Sequence, residues 1–152
     1  MMDRREWLRR SLGGAAALLA TGALPAGALA PVAVTVYKDA GCGCCRAWIT
    51  HLEGHGFAVT SHDVSAMAQI KANLGVPSAL QSCHTAVVGG YVVEGHVPAD
   101  LVQRLLRERP KVAGLAVPGM PMGSPGMEGA RKDPYDVLTF DATGQTRVYA
   151  KR

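Results

Sequence analysis

The chain has 152 residues, of which 48% are hydrophobic and 18% charged, with a formal net charge of +4. This is the balance of a globular protein with one ordinary core, and it excludes a disordered chain. From Pro31 onward twelve Lys and Arg face ten Asp and Glu, a surplus too small and too evenly spread to argue for nucleic acid or an anionic membrane as a partner.

Residues 1–28 read as an export signal. An arginine-rich start leads into an apolar run from Leu12 to about Leu24 and then Ala26-Gly27-Ala28, which satisfies the small-residue rule for cleavage after Ala28. Arg4-Arg5-Glu6-Trp7-Leu8-Arg9 resembles a twin-arginine signal, with Asp3 where Ser or Thr is usual and Trp7 where Phe is usual; an ordinary secretory signal is the alternative. The apolar run is too short and too rich in Gly and Ala for a membrane span. The expectation is a periplasmic protein whose mature domain, residues 31–152, has no membrane span.

Val32 to Lys38 alternates with β-branched enrichment and is read as a strand ending at Asp39-Ala40-Gly41. Cys42, Cys44 and Cys45 follow, at the start of a helix whose apolar stripe is Cys45, Trp48, Ile49 and Leu52. Phe57 to His62 is a second strand, and Ser65 to Leu74 a helix with Met67, Ile70 and Leu74 inward. Thr85 to Val88 and Tyr91 to Glu94 flank Gly89-Gly90, a strong hairpin signal. A helix from Pro98 to Arg109 buries Leu101, Val102, Leu105 and Leu106, with Arg104, Arg107 and Arg109 exposed, and Pro110 stops it. Gly114 to Gly129, rich in Gly, Pro and Met and without apolar periodicity, is read as a loop of a length that tends to be functional or disordered. Tyr135 to Phe140 and Thr146 to Ala150 read as a closing hairpin. The fold class is α/β: a thioredoxin-like β-α-β-α-β-β-α domain with a Gly/Pro/Met-rich loop and a C-terminal β-hairpin.

In that order of elements, a Cys-x-x-Cys at the first strand-to-helix turn marks a redox pair, and Cys42 and Cys45 have the spacing. Unpaired amides and the positive end of the helix dipole stabilise thiolate there. A plain thiol-disulfide enzyme would use Cys42 as the attacking thiol and Cys45 as the resolving one, and would leave Cys44 without a role. Three thiols within four residues, with Cys83 to join them, instead offer a soft, bridging donor set. Thiolate and thioether together select Cu(I). Met120, Met122 and Met127 are candidate thioethers from the loop, weighed against ordinary gap-filling methionines. A structural zinc site spreads its ligand pairs along the chain, whereas here three are bunched. His84 and His96 lie at element ends that can face the cysteine turn. His51 and His55, four apart on the first helix, read as an exposed pair, and His62 as structural or solvated.

Gly41-Cys42-Gly43-Cys44-Cys45, Ser82-Cys83-His84-Thr85-Ala86, Glu94-Gly95-His96-Val97-Pro98 and Gly114-Leu115-Ala116-Val117-Pro118-Gly119-Met120-Pro121 followed by Gly123-Ser124-Pro125-Gly126-Met127 together resemble the CopG-like family of periplasmic thioredoxin-like copper-resistance proteins. The resemblance spans the mature chain. It implies a domain binding several copper ions through Cys42, Cys44, Cys45, Cys83, His84, His96, Met120 and Met127; Met122 lies outside the family pattern. It also implies cycling between Cu(I) and Cu(II), and with it a copper oxidoreductase. Two rival readings stay open: a thiol-disulfide oxidoreductase using Cys42 and Cys45 on protein partners, and a passive chaperone handing copper to an efflux partner. The implied partners are copper ions and periplasmic efflux or electron-transfer proteins. One departure from thioredoxin stands out: Pro77 precedes the position of that fold's cis-proline by several residues, and Cys83-His84 occupies the approach to the redox pair.

Overall fold

A computed structural model describes residues 30–152. The export segment and its cleavage site therefore lie outside the described residues. Seven strands form one sheet in the order β2-β1-β3-β4-β5-β6-β7. In chain order the elements are β1 (Val32–Lys38), α1 (Gly43–Glu53), β2 (Phe57–Asp63), α2 (Met67–Asn73), a 3₁₀ turn (Ser78–Leu80), β3 (His84–Val88), β4 (Tyr91–Glu94), α3 (Ala99–Glu108), β5 (Gly114–Ala116), β6 (Asp136–Phe140) and β7 (Thr146–Lys151). The thioredoxin-like order expected from sequence is present. β1 pairs parallel to β2 and antiparallel to β3, and β3 and β4 form the hairpin around Gly89-Gly90.

Two apolar clusters lie on opposite faces of the sheet, as the two-residue strand period requires. Val93 and Leu115 point to one face with Val34, Val36, Ala86 and Val88, where α1 adds Trp48 and Leu52 and α3 adds Leu101, Val102 and Leu105. Val92 and Ala116 point to the other, where Val76, Leu80 and Phe140 cover them. Each of the fully buried large side chains contributes roughly 1.5–3 kcal/mol.

Three sequence expectations are corrected. The stretch beginning at Gly114 is not loop throughout: Gly114–Ala116 is a strand running parallel to β4, and it joins the C-terminal hairpin to the rest of the sheet. Three residues are too few to show a period, and a side chain at 114 would collide with the Val92 carbonyl, so the glycine that read as loop is what lets the strands meet. The second helix is shorter than expected, and its buried residue is Lys71, while Met67, Ile70 and Leu74 are only half-buried. Lys71 lies on the same stripe as Met67 and Leu74, so the helical period was right and the residue type misleading. On α3, Leu106 and Arg104 are both half-buried rather than fully inside and outside.

Candidate metal centre

The first strand-to-helix turn places three thiols at one helix end. Cys42 takes the N-cap position of α1, its Sγ accepting the Cys45 amide at 3.3 Å. Cys44 stands in the first turn, and Cys45 faces the core with no exposure. Cys42 and Cys45 are joined in a disulfide, whereas Cys44 and Cys83 are free and half-buried.

The β3–β4 hairpin supplies the opposite side. Thr85 pairs with Glu94, so the residues just outside that pair, His84 and Cys83 before and Gly95 and His96 after, are brought side by side. The Gly95 amide donates to the His84 carbonyl at 3.1 Å. Cys83 Sγ then lies 3.0 Å from His96 Nε2 and 3.3 Å from His84 Nδ1. Cys44 Sγ bridges the two sides, 3.5 Å from Cys42 Sγ and 3.8 Å from Cys83 Sγ. The ligand atoms of the four cysteines all fall within 4.8 Å of one another, as do those of Cys83, His84 and His96, so Cys83 belongs to both groups.

Burial sets the protonation of these groups. His96 Nδ1 is 2.7 Å from the Pro125 carbonyl, which can only accept, so the ring proton sits on Nδ1 and Nε2 presents a lone pair to Cys83. Desolvation lowers the His96 pKa, opposed by that hydrogen bond and by Glu128. His84 is fully buried, 4.3 Å from the Trp48 ring and edge-on to His96, and its Nε2 has no partner. Burial first, then His96 and Lys71, push its pKa down to about 3. The Cys83 thiol is pushed up to about 12 by burial and by the adjacent Cys44 sulfur. Both imidazoles are thus neutral, the form that ligates metal, and Cys83 keeps a proton that a cation must displace.

The sequence-predicted ligands divide accordingly. The structure brings Cys42, Cys44, Cys45, Cys83, His84 and His96 together. Met120 is 52% exposed, and the Met122 side chain folds over Gly129. Met127 is half-buried and follows Gly126, whose Cβ, if it had one, would lie 2.7 Å from the Cys44 carbonyl and 3.3 Å from His96 Nδ1. The backbone of the methionine loop is therefore pressed against the thiol turn. Ser82 Oγ ties the start of the loop by donating to the Gly119 carbonyl, and Ser124, fully buried, braces the loop internally by donating to the Pro121 carbonyl at 2.7 Å.

His51 does not fit the reading of an exposed pair. It is half-buried, and its Nε2 accepts the Ala99 amide at 3.1 Å, capping α3 in place of the side-chain cap that Pro98 cannot provide. His55 Nδ1 donates to the His51 carbonyl at 2.7 Å from the exposed side, and His62 is exposed beside Tyr37.

Sequence reasoning also missed a buried polar hub directly behind Cys83. Glu94 has no exposure; its Oε1 takes Lys71 Nζ at 2.5 Å and the Ser82 amide at 2.6 Å, while Oε2 takes Thr85 Oγ1 at 2.6 Å. Lys71 Nζ also reaches Thr85 Oγ1 at 2.9 Å. The available signal was positional: Glu94 ends an otherwise apolar strand, and Lys71 falls on the inward stripe of α2. Trp48, buried on the stripe expected for it, has a further role that its sequence position does not announce: its Nε1 donates to the Val97 carbonyl at 2.9 Å and so ties α1 to the His96 turn.

A family model described as a protein of unknown function, DUF411, matches residues 80–127, the span from the Cys83 segment through the methionine loop. No curated protein sequence matches the chain. Two solved structures titled copper resistance protein copG, forms 2 and 1, superpose with TM-scores of 0.77 and 0.76; each is 52% identical, and the match covers 80% of this chain and 98% of theirs. The chain belongs to the CopG family. Identity at that level over nearly the whole length of those CopG chains carries the thioredoxin-like fold with it, and β5 to β7 extend the sheet beyond the four strands of that order. Among the described residues, no helix is long and apolar enough to cross a membrane.

Proposed function

We propose that this protein binds copper as Cu(I) in a thiolate-rich, polynuclear site built from Cys42, Cys44, Cys45, Cys83, His84 and His96, and that it serves copper resistance after export to the periplasm. The observation that carries this reading is the convergence of four sulfurs and two neutral imidazoles, with Cys83 shared between them. Sulfur donors select a soft cation, imidazole suits copper in either oxidation state, and a thiolate common to two ligand groups can bridge two ions. His84 turns its Nδ1 toward this group, 3.3 Å from Cys83 Sγ, where a ring nitrogen can ligate. Membership of the CopG family supports copper as the cargo. Met120 and Met127 are proposed as outer donors that shuttle copper to the thiols, since Met120 is exposed and the loop backbone rests on the turn. Export by the twin-arginine route belongs to the same proposal, as does cycling between Cu(I) and Cu(II).

A second reading, thiol-disulfide exchange on protein partners, is favoured by the Cys42–Cys45 bond at a helix N-terminus. The two readings differ over Cys44. On the copper reading, Cys44→Ser lowers the copper held per reduced chain by at least one ion, counted by metal analysis after anaerobic loading and desalting. Unchanged copper with Cys44→Ser, alongside retained disulfide reductase activity, would favour the second.

A further inference from the structure

The disulfide accounts for two of the four thiols and leaves Cys44 and Cys83 as a pair. Their sulfurs are 3.8 Å apart, although the residues are 39 apart in sequence and come from different segments. Both are half-buried, so a small oxidant can reach them, while Cys45 is sealed from solvent. The Cys83 side is held in place rather than loose: the preceding Ser82 amide is anchored on Glu94, and Ser82 Oγ on Gly119. The Cys44 side is held by α1 and by Gly126 packed on its carbonyl. A disulfide needs its sulfurs near 2 Å, so these two, 3.8 Å apart, have about 1.8 Å to close.

We propose that Cys44 and Cys83 are a second redox pair, so that the site has a two-disulfide state, Cys42–Cys45 with Cys44–Cys83, in which no thiolate remains to hold copper. The closing step with a small disulfide as oxidant balances as follows. One thiol attacks the oxidant and displaces one of its halves, giving a mixed disulfide. The second thiol then attacks the protein sulfur and displaces the other half. The protein gains one S–S bond, the oxidant's S–S bond is broken, and the two protons and two electrons of the protein thiols end on the two reduced halves. Repeated at Cys42 and Cys45, this takes four electrons from the chain and leaves His84, His96 and the outer methionines without any thiolate beside them. Reduction reverses it and restores the soft site. The part of this inference that concerns copper rests on the proposed function, because it makes oxidation the release step for the same cargo; the pairing of the thiols does not.

The test begins without metal. The reduced full chain is treated anaerobically with excess oxidised glutathione, quenched, alkylated and mapped by peptide mass spectrometry. We expect no alkylated cysteine and no glutathione adduct. Because Cys42, Cys44 and Cys45 share one tryptic peptide, the bridge is assigned in the double variant Cys42→Ser/Cys45→Ser, where Cys44 and Cys83 should still close. Wild-type protein that retains alkylated or glutathionylated Cys44 and Cys83 beside a closed Cys42–Cys45 bond overturns the inference. So does a wild type without free thiols whose double variant stays open, since the pairing is then a different one. In a second arm, the Cu(I)-loaded chain should lose at least nine-tenths of its copper on full oxidation and rebind it on reduction; retention of copper by the two-disulfide form overturns the release step. Failure of the reduced chain to bind Cu(I) at all would count against the proposed function alone, and would leave the disulfide map to decide the pairing.

Discussion

Glu94 shows how much rests on one side chain in this domain. It offsets the charge of Lys71 in a place where neither is solvated, and the same carboxylate fixes the Ser82 amide next to Cys83. Replacing it with alanine leaves a buried ammonium without a counter-charge, which typically costs about 3–5 kcal/mol. The expected result for Glu94→Ala is a loss of that size in urea denaturation. His84 gives a second residue-scale prediction, through pH. Its folded-state pKa lies near 3, against an ordinary 6.5, so between those values the unfolded chain binds more protons than the folded one. Stability should therefore fall as pH is lowered from about 6.5 towards 3 and be fully present above that window. His84→Phe should flatten the slope, measured as the denaturation midpoint against pH; an unchanged slope would show that His84 is not the group responsible.

At the scale of elements, the methionine loop and α1 meet at Gly126, whose φ of +87° and crowded surroundings leave no room for a side chain. Gly126→Ala should cost about 1–3 kcal/mol in stability and free the loop, detected as faster proteolysis between residues 117 and 134. If the variant were as stable and as resistant as wild type, the loop would not be held by this contact. Sequence alone gave the long periodic elements well, because β1, α1 and α3 carry complete apolar stripes or alternations, and the Gly89-Gly90 turn fixes the β3–β4 hairpin. It failed where the period was too short to see, at Gly114–Ala116, and where a charged residue held a buried position, at Lys71. His51 escaped for a third reason. Its partner is a backbone amide 48 residues away, a tertiary contact that no local pattern announces.

At the scale of the whole molecule, the thiol turn and the Cys83–His96 segment face each other because β1 and β3 are neighbours in the sheet and β3 returns through β4. The spacing of Cys42, Cys44 and Cys45 and the element order were legible; the supports behind them, Glu94, Trp48 and Pro125, appear only when the sheet has brought distant segments together. The result is one compact cluster of four sulfurs and two neutral rings, with two of the sulfurs joined in the Cys42–Cys45 disulfide. The central question is whether the reduced cluster holds more than one soft cation. The most direct measurement is an anaerobic titration of the reduced domain, residues 31–152, with Cu(I) against a competing chelator, counting copper and free thiols on the same sample. More than one tightly held copper per chain, with all four thiols protected from alkylation, is the predicted result. Weak binding, or a single copper that leaves Cys44 and Cys83 open to alkylation, would contradict it.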